Sequence, residues 1–377
     1  MYPKVKPALA RAWRDLQTVQ FGVTPAHAVV FGPLDTATGS LLDRLDGTRG
    51  MELLRKEGAA MGLPDGQVDE LVRRLAAAGV IDDATAGGPP ARSLLRRPEV
   101  LERLGPDRGS LSLVRREPGG DLRGIAARRA VRVQVRGSGR VGALIAAVLA
   151  GAGVGRVDVL DGGRVEPGDV APGGLGPQSV GRLRAEAAGA LVRASAPGRA
   201  PRDREREGPE PGLALVVVAP RDGLQAWAPD PDTAADWVAA GIPHLYAGVL
   251  EGTGVVGPLV LPGTTGCAGC MERERVERDR AWARMLVQWR GSHRRRGSVA
   301  CDLGLATAVA GLAAAHALAF LDGELPASTG ARWEAALPAV HWERTRVGAH
   351  PECGCGAAGS GEGDSSTARE GQDTMAG

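Results

Sequence analysis

The chain has 377 residues, which is enough for two or three domains with a sizeable hydrophobic core. Its formal net charge of +2 is too close to neutral to indicate a nucleic-acid partner. The first residues lack the apolar stretch of a signal peptide, and no segment is apolar for as long as a membrane span requires. We therefore expect a cytoplasmic protein with no membrane or nucleic-acid partner.

Residues 1–85 carry the pattern of a small winged-helix-like domain. Short apolar runs typical of strands lie at residues 18–22 and 27–31. Helical patterns follow at residues 34–45, 48–61 and 66–78. The third helix carries an apolar stripe that consists of Val68, Leu71, Val72 and Leu75. Val80 and Ile81 add a further short strand.

This order of elements resembles the RiPP recognition element, a module that binds the leader of a ribosomally made precursor peptide. The resemblance implies that a leader adds as a strand along Val29, Val30 and Phe31 and lies against Val68, Leu71, Val72 and Leu75. Some of those apolar side chains are alternatively core. The whole module is alternatively a winged helix that packs on the rest of the chain or binds DNA. Arg73 and Arg74 are the only basic pair on the third helix, which is too little for DNA.

Composition separates the remaining segments. Residues 83–98 are rich in proline and glycine, so we assign residues 86–130 to a linker and connecting segment. A mixed-charge loop is predicted at residues 199–208. Residues 357–377 are small and polar, which predicts a disordered tail.

The central segment predicts a βαβ unit. Residues 131–135 alternate as a strand, and Gly137, Gly139 and Gly142 open an Ala/Leu-rich helix. The next strand, at residues 156–161, ends on Asp161. In a nucleotide-binding unit the helix N-terminus faces a phosphate and such an acid accepts bonds from a ribose. The alternative is that the glycines only allow close packing; either way, the pattern predicts a Rossmann-like α/β fold.

Downstream patterns extend this α/β domain. The continuous apolar run at residues 213–219 predicts a buried parallel strand. The further predicted elements are a helix at 233–240, strands at 242–249 and 255–261, a core helix at 302–321 and a strand pair within 333–346.

Four of the five cysteines form two close pairs, Cys267 with Cys270 and Cys353 with Cys355. This spacing predicts a tetrahedral zinc site, closed and therefore structural. Two disulfides or buried thiols are the alternative, which a cytoplasmic location disfavours. Cys301 begins the predicted core helix, where it is either a buried thiol or a thiolate favoured by the helix N-terminus.

Residues 131–356 resemble the ThiF family, relatives of the ubiquitin-activating enzymes. Its members share the glycine turn, the strand-end Asp and two cysteine pairs around a long Ala-rich helix. The resemblance implies an adenylating fold, commonly a homodimer, in which ATP and magnesium activate a C-terminal carboxylate as an acyl-adenylate. The nucleotide-binding positions carried over by the resemblance are Gly137, Gly139, Gly142, Asp161 and Arg184.

Several adenylation positions depart from the family pattern. Arg140 and Gly163 replace a glycine and an acid, and Arg184 stands where the family has a phosphate-contacting lysine. Residues 169–175 replace a phosphate-binding segment. The magnesium-binding Asp expected after the 213–219 strand is missing, with Asp222 the nearest acid. We therefore assign no catalytic side chain.

Both halves together resemble the ThiF-like partner proteins of azole-forming (TOMM) peptide clusters. The resemblance implies a protein that binds a precursor leader peptide and presents it to a separate YcaO-type cyclodehydratase. The alternative function is an active ATP-dependent adenylyltransferase acting on the C-terminus of a peptide or a sulfur-carrier protein.

Overall fold

The computed structural model describes residues 1–198, 212–292 and 299–360. These residues form two compact units. The first consists of residues 1–130 together with 151–155 and 196–198, and the second holds the other described residues. The predicted mixed-charge loop lies outside the described residues, as do residues 361–377 of the predicted tail. Residues 357–360, also assigned to the tail, instead form a 3-10 turn in which Ala357 is buried.

The first unit begins with short strands around a set of helices. In chain order these are β1 Pro3–Val5, β2 Arg11–Trp13, β3 Val19–Phe21, β4 Val29–Phe31, α1 Thr36–Leu41, α2 Met51–Ala60, α3 Gln67–Ala77 and β5 Ile81–Asp83. Strands β2, β3 and β4 form an antiparallel sheet in that order, and β1 pairs with β5. The predicted strands and helices are all present. The sequence did not predict β1 and β2, because each spans only three residues without apolar alternation.

The apolar stripe of α3 belongs to the core of this unit. Val68, Leu71, Val72 and Leu75 are all buried. They share one cluster with the inward side chains of β3 and β4 and with Leu54 of α2. Burying each such side chain contributes roughly 1.5–3 kcal/mol, so this face holds the helix in place. These four residues are therefore core, which is the alternative that the sequence left open.

Residues 86–130 are not a linker. They form α4 Gly88–Leu95, α5 Pro98–Arg103, α6 Gly105–Val114 and α7 Gly120–Arg129. Their shared core consists of Leu94, Val100, Leu104, Leu111 and Ile125. The prolines that suggested a linker, Pro89, Pro90 and Pro98, lie in the first turns of α4 and α5, where a missing N–H costs little.

Lys6 ties the N-terminal strands to this helical segment. It is buried, and its Nζ donates to the carbonyl oxygens of Ser112 at 2.6 Å and Arg116 at 3.0 Å. Burial lowers the pKa of Lys6, while the charge of Asp82 opposes that shift. An ammonium left buried without these acceptors would be strongly destabilising, so residues 1–85 and 86–130 depend on each other.

The second unit is built on a seven-stranded mixed sheet. Its helices are α8 Arg140–Gly151, α9 Arg184–Ser195, α10 Leu224–Trp227, α11 Pro231–Ala239, α12 Ala268–Arg278, α13 Trp282–Ser292 and α14 Leu303–Leu321. Its strands are β6 Arg132–Arg136, β7 Arg156–Leu160, β8 Leu213–Val218, β9 His244–Leu250, β10 Thr253–Val260, β11 Ala331–Ala336 and β12 Glu343–Arg346. The order across the sheet is β12-β11-β10-β9-β8-β6-β7.

The parallel half of this sheet positions the candidate site. Strands β7, β6, β8 and β9 are parallel neighbours, whereas β10, β11 and β12 are antiparallel. The chain moves from β6 to β7 on one side and returns to β8 on the other. Ligands of open α/β sheets bind at such a reversal, beyond the carboxyl ends of the strands. The Rossmann-like prediction is confirmed.

Helix α14 packs against β9 and β10 through Leu305, Val309 and neighbouring alanines. By length and composition it is the one helix among the described residues that could cross a membrane. A core helix meets the same test, and its buried face against the sheet identifies it as one.

Candidate functional site

The glycine turn after β6 is required by packing alone. Gly137 has φ +103°, and a Cβ there would lie 2.0 Å from the carbonyl oxygen of Ala219. A Cβ on Gly142 would lie 2.0 Å from the carbonyl oxygen of Gly137. Gly139 is less constrained, since its nearest neighbour is the flexible side chain of Arg221 at 3.2 Å. At Gly137 and Gly142 the pattern is explained without a bound nucleotide.

Asp161 directly follows β7, as predicted, and its carboxylate accepts three hydrogen bonds. Oδ2 accepts bonds from the backbone N of Ser138 at 2.7 Å and from its Oγ at 3.0 Å. Oδ1 accepts a bond from Arg184 Nε at 3.0 Å. The Asp161 side chain is only 10% exposed. A ribose hydroxyl would have to share this largely buried carboxylate with the three donors.

A second arginine extends this pair into a charged network. Arg221 Nε lies 2.5 Å from Asp169 Oδ1, and its other guanidinium nitrogen lies 2.5 Å from Glu166 Oε2. Arg184 approaches Asp169 from the other side at 3.5 Å. Burial would lower the pKa of Arg221, but the hydrogen bonds to Asp169 and Glu166 raise it overall. Two arginines and three carboxylates thus form one ion-pair network with a formal net charge of about −1.

The network borders a cavity of about 580 Å³ beyond the carboxyl ends of β6, β7 and β8. Its lining includes Gly137, Asp161, Arg221 and Trp237. The guanidinium of Arg136 stacks on the Trp237 ring at 4.7 Å. Pockets of this volume hold nucleoside-sized ligands, and the apolar walls suit a planar ring.

Sequence reasoning missed Ser138, Glu166, Asp169 and Arg221. We expected an acid just after β8, and this chain has Arg221 there instead. The charged residue at that position was the signal in the sequence that could have identified Arg221. Asp222, the nearest acid, accepts a bond from Leu224 N at 3.2 Å at the start of α10.

The four paired cysteines converge on one point. Their ligand atoms all lie within 4.8 Å of one another. Sγ–Sγ distances are 3.9 Å for Cys267–Cys270, 3.6 Å for Cys267–Cys353 and 3.6 Å for Cys270–Cys355. Ligands about 2.3 Å from a tetrahedral metal ion lie about 3.8 Å apart. The cluster has the dimensions of a metal site.

Local structure leaves room for this cluster. Cys267 directly precedes α12, and Cys270 lies in the first turn of that helix. Cys353 approaches Gly269 so closely that a Cβ on Gly269 would lie 3.1 Å from the Cys353 Sγ. Burial raises the pKa of Cys267 and Cys355, so holding these two sulfurs as thiolates requires the charge of a cation. Cys301 is not part of the cluster. Burial also raises its pKa, which favours the thiol.

Strand β4 is one of the two edge strands of the N-terminal sheet among the described residues. Gly22 N donates to Ala10 O at 2.7 Å, which fixes the alternation of bonds along β2 and β3. By that alternation the backbone N–H and C=O of Gln20 point toward β2. Its partner on β4, Val30, therefore directs its own N–H and C=O away from β3. The Val30 side chain is 52% exposed. Val29 is half-buried, and Phe31 is buried under Arg74 of α3 at 4.6 Å.

Comparisons with known proteins agree with this architecture. The model of the ThiF family matches residues 121–357, more than half of the chain. Among curated proteins there is no match.

Solved structures match over almost the whole chain. E. coli MccB with ATP is 17% identical with a TM-score of 0.63, covering 94% of this chain and 99% of MccB. The Microcin C7 biosynthetic enzyme MccB in complex with N-formylated MccA is 16% identical with a TM-score of 0.63, covering 94% and 100%. PaaA is 15% identical with a TM-score of 0.66, covering 91% and 99%. Identities this low establish a shared fold.

Proposed function

Since the chain belongs to the ThiF family, we propose that it binds the leader of a ribosomally made precursor peptide and presents that peptide to a YcaO-type cyclodehydratase. In this proposal the protein acts in the cytoplasm, within a RiPP pathway of the azole-forming class, and its own adenylation site is degenerate. The observation that supports a degenerate adenylation site is the network of ion pairs that Arg184 and Arg221 form with nearby carboxylates.

Adenylation requires cations that hold the triphosphate and a carboxylate that holds magnesium. Here Arg184 is bound to Asp161 and Asp169, and Arg221 is bound to Asp169 and Glu166. ATP would have to break these ion pairs and leave carboxylates facing its phosphates. Separating partly buried partners costs several kcal/mol, so the network opposes productive ATP binding.

The open edge of β4 supports the peptide-binding part of the proposal. A peptide in extended conformation gains main-chain hydrogen bonds when it adds to an exposed edge. Val30 offers one donor and one acceptor there without giving up bonds to β3. The structural likeness to MccB, which has been solved in complex with MccA, adds support.

The Val30→Pro variant tests this edge in the full-length protein. Proline removes the outward N–H, is tolerated on edge strands, and leaves the β3–β4 bonds intact. We expect the variant to keep its melting temperature and to lose roughly tenfold or more in affinity for a fluorescein-labelled precursor peptide encoded beside this gene. The matched control Val30→Thr keeps the N–H and should bind normally. Equal binding by both variants would contradict edge pairing.

A second candidate function is an active ATP-dependent adenylyltransferase acting on a peptide or sulfur-carrier C-terminus. The cavity of about 580 Å³ and the likeness to MccB with ATP favour it. The two functions differ in one measurement. Release of pyrophosphate from ATP and magnesium that depends on the precursor peptide would establish the second candidate, whereas peptide binding without it supports the first.

We also propose that zinc occupies the four-cysteine cluster. Four thiolates favour zinc over harder cations, and the sulfur spacing fits its tetrahedral radius. Such a site has no open position, so its contribution is to folding.

The partners in this proposal include a second copy of the chain. Helix α14 has no charged residue, and its outward face presents Thr307, Ala308, Gly311 and Ala315. An uncharged face of this length is typical of a surface covered by another protein.

A further inference from the structure

Arg74 stands out among the exposed side chains of α3. It lies in the last turn of the helix, with its guanidinium stacked on the ring of Phe31 at 4.6 Å. Phe31 belongs to β4, whose edge is the proposed peptide site. Arg74 therefore lies beside the place where an added strand would run.

The charge of Arg74 is not matched by an ion pair among the described residues. Glu70, one turn earlier, is instead bound by Arg73, with Nε 3.0 Å and a terminal nitrogen 2.6 Å from its carboxylate. Asp69, the other acid of this helix, is bound by Arg55 at 2.7 and 2.9 Å. Both carboxylates of α3 are thus hydrogen-bonded to other arginines, and Arg74 keeps its N–H groups for another acceptor.

The geometry of an added strand brings one of its side chains to this cation. A strand paired with β4 would lie about 4.8 Å away, with alternate side chains on the face that Phe31 occupies. That face is the one covered by α3, because Phe31 packs in the core with the α3 stripe. A guanidinium that lies over an aromatic ring still has N–H groups at its edge that can bind a carboxylate in bidentate fashion.

We infer that the peptide bound at β4 carries an aspartate or glutamate that pairs with Arg74, so that the module selects acidic over basic extended peptides. The inference rests on the proposed peptide-binding function and specifies its ligand. The main-chain bonds supply affinity that is independent of sequence, and Arg74 supplies charge selection.

Peptide selection on the full-length protein tests the inference. The probe is a phage-displayed library of random 12-residue peptides, selected separately on the wild type, Arg74→Glu and Lys56→Ala. Lys56 is the matched control, because it is an exposed cation of the same module that pairs with Glu52. We expect the wild type and Lys56→Ala to enrich an acidic residue at one fixed position, and Arg74→Glu to enrich Lys or Arg there.

A synthetic peptide from the wild-type selection then gives the size of the effect. Changing its acidic residue to the amide should weaken binding to the wild type roughly threefold to tenfold and leave binding to Arg74→Ala unchanged. Peptides selected without an acidic preference, or a preference that Arg74→Glu retains, would overturn the inference while leaving peptide binding intact. Failure of the wild type to enrich any peptide would instead overturn the proposed function, and the inference with it.

Discussion

At the residue scale, close packing is enough to explain why glycine occupies the turn after β6. Gly142 lies in the first turn of α8 and lets the helix approach the backbone of Gly137. The fold would need this glycine even if no phosphate ever bound at the turn. The identity of the charged residues around the turn, not the glycines, therefore carries the information about nucleotide chemistry.

A substitution at Gly142 tests this interpretation. Gly142→Ala places a Cβ 2.0 Å from a carbonyl oxygen, so we expect it to lower the free energy of unfolding by roughly 3 kcal/mol. The matched control is Gly189→Ala in α9, where the nearest atom is a flexible Arg193 nitrogen at 3.4 Å. The control should be neutral or stabilise by up to about 1 kcal/mol. Urea unfolding measures both; equal stability of the two variants would refute the packing role.

At the element scale, the cysteine cluster joins two distant segments. It links the start of α12 to the loop that follows β12. All four residues of β12 are exposed, so this strand does little to hold that loop in place. A metal ion bound there contributes its binding energy to folding, because the unfolded chain has no preformed site.

The Cys270→Ser variant tests the metal. We expect about one zinc per chain in the wild type, and in the variant a loss of zinc with early proteolytic cleavage after residue 347. Cys301→Ser is the matched control, since Cys301 lies outside the cluster, and it should keep its zinc. Metal analysis and limited proteolysis give the readout. Wild-type protein with far less than one zinc per chain would contradict the assignment.

At the scale of the whole molecule, the uncharged face of α14 is the surface through which we propose that two chains form a dimer. This helix buries one side against β9 and β10 and leaves the other uncovered in the single chain. A helix that is apolar nearly all round is normally buried all round, which is why a second copy is proposed to cover it.

Introducing a charge on that face tests the dimer. We expect the wild type to sediment at the mass of two chains, and Ala315→Arg at the mass of one, because a desolvated arginine without a partner opposes association. Ala315 is exposed, so the monomer should keep its fold. Ala235→Arg, on an exposed position of α11, is the control and should remain a dimer. A wild type that sediments as a monomer would refute this assembly.

The sequence by itself determined the elements whose signal is local. The strand, glycine turn and strand-end Asp161 were readable because the βαβ unit is continuous in the chain. The metal site could be predicted from the cysteine pairs, because two closely spaced cysteines on each of two segments are typical of metal ligands. Hydrophobic periodicity located α3, since a buried face imposes a helical repeat on neighbouring residues. The predicted core helix α14 was located by its long run of apolar residues.

Only the tertiary structure decided what those elements face. Periodicity showed that α3 buries Val68, Leu71, Val72 and Leu75, but a core and a peptide groove need the same apolar stripe. The pairing of Arg221 with Asp169 and Glu166 joins residues more than 50 positions apart, with |i−j| of 52 and 55. Such ion pairs leave no pattern in the sequence, because any acid on a facing loop satisfies an arginine. Contacts of this kind are fixed by folding.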